Sequence, residues 1–114
     1  MSLLDDFKTE AKREEIKTEF RGHEVVIKTI IGLEAAPYYK WLADNIPAES
    51  RLIADVRAAT IAASIFTLDG ERMPVELIPA IRNQWSPKEV EFLYKKCIQV
   101  GNNITDDEAQ EKKE

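Results

Sequence analysis

The chain has 114 residues, a formal net charge of −5 and a hydrophobic fraction of 44%. This length fits one domain with a core of its own, and the apolar fraction excludes a wholly disordered chain. The acidic balance, with lysines and arginines interleaved among acids, argues against binding to nucleic acid, because phosphate contacts need a clustered basic surface.

The single cysteine, Cys97, excludes a disulfide within the chain and fits a reducing compartment. The longest uncharged stretch, 58–68, is too short to cross a bilayer as a helix. Asp5 and Asp6 stand where a secretion signal carries basic residues. These features predict a soluble protein of the cytoplasm with no membrane partner.

The first expected element is a charged N-terminal arm at 1–15. Leu3, Leu4, Phe7 and Ala11 have the spacing of one face of a short amphipathic helix. A frayed arm is the alternative, since chain ends are poorly ordered unless they are tied down.

Residues 16–31 alternate apolar and polar side chains and predict a β-hairpin. Gly22-His23 is the expected turn, with Gly22 supplying the positive φ angle. Val26 and Ile30 fall on the otherwise polar face, so a helix, a third strand or another subunit is expected to cover it. The expected cross-strand pairs are Phe20 with Val25, Thr18 with Ile27, Ile16 with Thr29 and Arg21 with Glu24.

A helix is expected at 33–46. Pro37 is tolerated only in the first turn of a helix, which places the start near Ala35 or Ala36. The residues that share its apolar face are Tyr38, Trp41 and Leu42.

A second helix is expected at 48–66. It carries no charge from 58 to 66, which predicts a central helix that is buried on all sides. Its expected core stripe is Leu52, Ile53, Val56, Ala59, Thr60 and Ala63.

Asp69-Gly70 then predicts a turn. Thr67-Leu68 and Arg72-Met73 flank it and are expected to form a minimal strand pair. Two prolines, at 74 and 79, limit 75–85 to short helical pieces.

The last helix has a clear start signal. Ser86 is the expected N-cap, Pro87 takes the first helical position, and Glu89 closes a capping box. Gly101 is the expected terminator. The expected buried stripe of this helix is Val90, Leu93, Tyr94, Cys97 and Ile98.

Residues 105–114 are rich in acids and have no large apolar residue, so they are expected to form a disordered acidic tail. The elements between the arm and the tail predict an α+β domain over 16–104. It is mostly helical, with the N-terminal β-hairpin packed on about three to four helices.

No set of residues predicts catalysis. His23 is expected in an exposed turn, and Cys97 on the apolar stripe behaves as a small hydrophobic residue without a base beside it. The glycines are isolated, and no pair of carboxylates has the spacing and apolar setting of an acid–base pair. The chain is therefore expected to be neither an enzyme nor a protein that holds a cofactor or metal.

Aromatic residues are the better candidates for a binding surface. Trp85 precedes the last helix, Phe92 falls off its buried stripe, and Tyr39 points away from Tyr38 on the same helix. Exposed aromatic side chains are enriched at protein–protein interfaces. Trp85, Phe92 and Tyr39 are therefore the expected partner-binding residues.

The order of segments resembles the small tail assembly chaperones of long-tailed bacteriophages and prophages. The resemblance covers about 15–102 and rests on element order and texture rather than on a signature motif. Its segments are the hairpin EFRGHEVVIKTI, the helices YYKWLADNIP and RAATIAASI, a DG turn, a tryptophan before the capped helix SPKEVEFLYKK, and an acidic tail.

This resemblance implies a non-enzymatic protein of the host cytoplasm that acts during virion assembly. It implies binding to the tape measure protein, possible recruitment of the tail tube protein, and self-association. Two alternatives remain. One is a structural phage component, such as a head–tail connector or minor tail protein, and the other is a small regulatory protein-binding domain.

Overall fold

The computed structural model describes residues 2–102, and the expected acidic tail at 105–114 lies outside this range. The chain forms an antiparallel three-stranded sheet and a group of helices, so the predicted α+β class is confirmed. The elements are α1 (Leu3–Phe7), β1 (Glu15–Phe20), β2 (His23–Lys28), α2 (Ala36–Asn45), a 3₁₀ turn (Ala48–Ser50), α3 (Ile53–Ser64), β3 (Ile65–Phe66), α4 (Leu77–Gln84) and α5 (Pro87–Gln99).

In the N-terminal arm, α1 begins after Ser2, whose hydroxyl oxygen accepts a hydrogen bond from the Asp5 amide. All residues of α1 are exposed. Further along, the arm joins the domain, because Glu14 and Thr29 exchange hydrogen bonds through the Glu14 amide and carbonyl.

The hairpin forms as predicted, but its register and turn differ from the prediction. Phe20 pairs with His23, and the turn residues are Arg21 and Gly22 rather than Gly22 and His23. Both have positive φ, 52° and 83°, which fits a type I′ turn whose twist matches that of the strands. The predicted pairing of Arg21 with Glu24 is therefore wrong.

The register shift leaves the faces of the hairpin unchanged. Thr18 lies opposite Val25 instead of Ile27, and Ile16 opposite Ile27 instead of Thr29, so each partner moves by two positions. Side chains alternate with a period of two, so this shift returns the same side chains to the same face.

A third strand, β3, extends the sheet beside β2 and places Phe66 next to Val26 on the other face of the hairpin. Val26 pairs with Phe66 of β3, and both side chains are buried. The Lys28 ammonium and the Arg72 guanidinium lie 4.6 and 4.5 Å from the centre of the Phe66 ring. Phe66 also bridges to Arg72, so the expected strand pair around Asp69-Gly70 forms with Phe66 in place of Thr67-Leu68.

The central helix is α3, and every residue from 58 to 66 is buried, as predicted. It contacts α2, α4, α5 and β2, which explains why small side chains occupy most of its length. The helix is shorter than predicted at both ends, because it begins at Ile53 and ends at Ser64. The predicted helical residues Ile65 and Phe66 form β3 instead. Leu52 is its N-cap and is exposed, so its predicted place in the core stripe is wrong.

The start of α5 is as predicted. The Ser86 hydroxyl accepts from the Glu89 amide, and the Glu89 carboxylate accepts from the Ser86 amide. At the other end, Gly101 has φ 92°, and its amide and that of Asn102 bond back to Ile98 and Cys97. These two bonds are those of a Schellman motif.

One member of the predicted α5 stripe is wrong. Leu93, Tyr94 and Cys97 are buried and Val90 is half-buried, whereas Ile98 is exposed. The buried stripe of α5 is therefore narrower than its apolar pattern.

Candidate functional site

A groove of about 590 Å³ lies between the hairpin turn and the segment that follows β3, beside the predicted binding residue Trp85. We call it the hairpin groove. Its lining residues are Phe20, Arg21, His23, Glu24, Val25, Ile65, Thr67, Leu68, Met73, Leu77 and Trp85. Most of these side chains are apolar, and the charged ones come from the hairpin end, so the groove has an apolar floor beside a polar rim.

Two stacked aromatic rings form one wall of the hairpin groove. The rings of Phe20 and Trp85 lie 4.6 Å apart, centre to centre, and are tilted by 40°. Phe20 reaches this position because it is the last residue of β1 on the core-facing side, and Trp85 because it ends α4. Both are half-buried and pack on the core, so part of each ring stays accessible.

Arg21 holds the wall in place. Its guanidinium lies 5.6 Å from the centres of both the Phe20 and Trp85 rings. It also donates to both carboxylate oxygens of Glu89 at 2.8 Å. The hydrogen bond from Arg21, with a further bond from the Ser86 amide, lowers the pKa of Glu89 from 4.5 to about 2. The carboxylate is therefore charged at neutral pH.

A second groove of about 570 Å³ lies between α3, α4 and α5, and Trp85 lines both grooves. At its edge Asp55 accepts a 2.6 Å hydrogen bond from Arg82, although Asp55 itself is buried. The other oxygen of Asp55 accepts from the Leu52 amide at 2.9 Å and so caps α3. This ion pair fixes α3 against α4.

The three predicted partner-binding residues do not come together on one surface. Trp85 stands between the two grooves. Phe92 is 41% exposed on α5, with the Lys96 ammonium 5.1 Å from its ring centre. Tyr39 is half-buried on α2, and its hydroxyl lies 2.9 Å from the hydroxyl of Thr60.

Sequence reasoning missed two leucines of the hairpin groove. Leu68 is 53% exposed and comes directly before the Asp69-Gly70 turn, where an apolar residue has no local structural role. That position was the available signal. Leu77 opens α4 and has no such signal, because only the tertiary fold brings α4 next to the hairpin.

Of the two residues considered for catalysis, Cys97 lies in the core and His23 lies at the hairpin groove. Cys97 is fully buried in the core, and burial raises the pKa of its thiol from 9.0 to about 11. His23 is exposed at the start of β2 and lines the rim of the hairpin groove. Within residues 2–102, no three His, Cys, Asp or Glu side chains are grouped so that they could hold a metal ion.

The helices of residues 2–102 are all too short or too polar to span a bilayer. In comparisons with known proteins, no family model, no curated protein and no solved structure matches this chain.

Proposed function

We propose that this chain is a non-enzymatic tail assembly chaperone that binds an apolar segment of a tape measure protein during assembly of a phage tail. The family assignment comes from the sequence resemblance. The hairpin groove is the observation that carries the binding proposal, because it offers an apolar floor and an aromatic wall at the surface.

A helix is the occupant that suits this groove. A tape measure protein is a long helical chain, and before assembly its apolar stripe faces water. An amphipathic helix binds by placing side chains at i, i+3 and i+4 into an apolar groove. The half-exposed Leu68 and the Phe20–Trp85 wall supply the apolar contacts, and Arg21, His23 and Glu24 supply a polar rim.

The net charge of −5 supports the same role. A charged chaperone keeps the complex with an apolar chain soluble, because like-charged complexes repel one another. Phe92, which is exposed on α5, is a second candidate anchor for the same long partner.

The test is coexpression of this chain with the tape measure protein of the same phage or prophage, followed by a pull-down at low salt and at ~0.5 M salt. Apolar contacts survive screening, whereas exposed charge pairs are screened beyond ~8–10 Å at ordinary ionic strength. We expect the complex to survive both conditions. Two soluble, folded proteins that form no complex at either salt would contradict the proposal.

Two substitutions form a matched pair for locating the surface. Leu68→Glu places a charge in the hairpin groove, and Leu33→Glu places one at an 85% exposed leucine outside that groove. We expect the first to reduce capture of the partner by about tenfold or more, as loss of an interface anchor does. The second is expected to leave capture unchanged. Equal effects of the two would exclude the hairpin groove as the binding site.

The structural-component alternative is tested on virions. An assembly chaperone is absent from the mature particle, so mass spectrometry of purified virions should not find this chain. Its presence at a fixed copy number would favour a connector or minor tail protein instead.

A further inference from the structure

The sheet ends at β1. Its strand order is β1-β2-β3, and within residues 2–102 no strand pairs with the outer side of β1. An open strand edge presents unpaired amide and carbonyl groups, which are a template for another strand. The question is which strand this edge fits.

The outward-facing backbone groups can be identified from the ladder. Antiparallel pairs alternate between hydrogen-bonded and non-bonded pairs. The Thr29 amide donates to the Glu14 carbonyl at 3.0 Å, so the backbone groups of Glu14 point toward β2. Every second residue after it, which means Ile16, Thr18 and Phe20, does the same. The amides and carbonyls of Glu15, Lys17 and Glu19 therefore point away from β2, toward the open edge.

We propose that two copies of this chain associate through this edge, with β1 of one copy antiparallel to β1 of the other and Thr18 opposite Thr18. In this register Lys17 lies opposite Glu19 of the second copy, and Ile16 lies opposite Phe20. The two-fold axis between the copies forms each of these pairs twice. The outward backbone groups of Lys17 then exchange hydrogen bonds with those of Glu19 of the second copy.

The side chains favour this register over its neighbours. Side chains of paired residues share a face, so only even shifts keep the half-buried residues of β1 together on the core side. Moving the second strand by two residues in one direction places Lys17 opposite Lys17. Moving it by two residues in the other direction places Glu19 opposite Glu19. Like charges directly opposite one another destabilise a strand pair. Of these three registers, only the one centred on Thr18 brings opposite charges together. Registers centred on Ile16 or Phe20 also pair opposite charges, but each overlaps less of β1 than the register centred on Thr18 does.

The hairpin itself supplies a second reason. On its inner side Glu19 already lies opposite Glu24 of β2, which is an unfavourable like-charge pair. Lys17 of a second copy would place a cation on the outer side of Glu19. The charged edge thus discourages pairing with unrelated strands while it complements itself.

The first test is the oligomeric state of the full chain without any partner, by sedimentation equilibrium from ~10 µM to ~1 mM, where weak association is detectable. We expect a reversible dimer. Lys17→Glu or Glu19→Lys alone should raise its dissociation constant by about tenfold, and the two together should restore it, because opposite charges face each other again.

Lys95→Glu is the matched control, since it makes the same charge change at a 69% exposed side chain on α5. It should leave the dissociation constant unchanged. A chain that stays monomeric at ~1 mM, or a dimer that Lys17→Glu and Lys95→Glu weaken equally, would overturn the proposal.

The register has its own test. A non-bonded antiparallel pair has Cα atoms about 4.5 Å apart, within disulfide range. Thr18→Cys should therefore give a disulfide-linked dimer on mild oxidation. Lys17→Cys should not, because its two copies are diagonal neighbours about 7–8 Å apart. Crosslinking of Lys17→Cys but not Thr18→Cys would overturn the register. None of these tests involves the tape measure protein, so their failure would leave the proposed function untouched.

Discussion

Arg21 in the hairpin turn donates from Nε and Nη2 to the two carboxylate oxygens of Glu89 at the start of α5, each at 2.8 Å. The same carboxylate accepts from the Ser86 amide at 2.9 Å. One side chain therefore caps the last helix and fixes the hairpin turn to it, across 68 positions of sequence. This link closes one end of the hairpin groove.

Arg21→Asn is expected to keep the turn and lose the link. Asparagine before glycine is favoured in type I′ turns, so the hairpin itself should persist. Glu89→Gln keeps the capping box, because glutamine also serves there. In a double-mutant cycle of thermal unfolding, Glu89→Gln should therefore lower the midpoint less in the Arg21→Asn background than in the wild type. Strictly additive effects would show that the two side chains do not interact.

Stability is expected to rise with pH between about 2 and 4.5. Hydrogen bonds from Arg13 at 3.1 and 2.8 Å, with others from Ile31 and Arg72, lower the pKa of Glu34 from 4.5 to about 2. In that interval the unfolded chain binds more protons than the folded one, so folding is weakened as pH falls. Above about pH 5 the contribution is complete.

Denaturant unfolding at several pH values between ~2 and ~7 measures this dependence. Glu34→Gln cannot titrate at this position, so its stability should change less steeply across the acidic interval than that of the wild type. An unchanged slope would mean that Glu34 does not form its ion pair with Arg13 in solution.

Asn102→Ala is expected to lower the free energy of unfolding by about 2–3 kcal/mol. The Asn102 side chain is buried and accepts from the Ile30 amide at 2.9 Å. It donates to the Lys28 carbonyl at 2.8 Å and to the Ser64 hydroxyl at 3.0 Å. Alanine would remove this partner from the buried Ser64 hydroxyl and from the half-buried Ile30 amide and Lys28 carbonyl.

Asn45→Ala is the control for Asn102, because its side chain is exposed and donates to the carbonyl of Trp41 one turn earlier on the same helix. Its effect should stay within about 0.5 kcal/mol. Equal losses for the two variants, measured by denaturant unfolding, would contradict the role of Asn102 in joining the end of α5 to the sheet.

Ala63→Leu is expected to cost about 1–3 kcal/mol, because a larger side chain overpacks a filled core. Ala63 is fully buried on α3. Ala54→Leu on the same helix is the matched control, since Ala54 is exposed and the change of residue is identical. Thermal unfolding should separate them clearly. A fully stable Ala63→Leu variant would show that the core around Ala63 is not filled.

Local signals determined much of this protein. The uncharged run from 58 to 66 predicted a buried central segment, which is helical as far as Ser64. The Ser86-Pro87-Lys88-Glu89 segment predicted the start of α5 to the residue. These succeed because helix caps depend on neighbours within one turn, and a helix without charge has no face that favours water.

Other features depended on contacts between distant segments. Turn geometry with two positive φ angles decided the hairpin register, which the alternating pattern leaves open to shifts of two. The hairpin groove needs Phe20, Leu68 and Trp85 to meet, and no local pattern links them. Arg21 had a plausible partner in Glu24, and only the packing of α5 beside the hairpin gave it Glu89 instead. Local hydrogen bonds and burial can be predicted from neighbouring residues, whereas a binding surface is formed by residues that are far apart in the sequence.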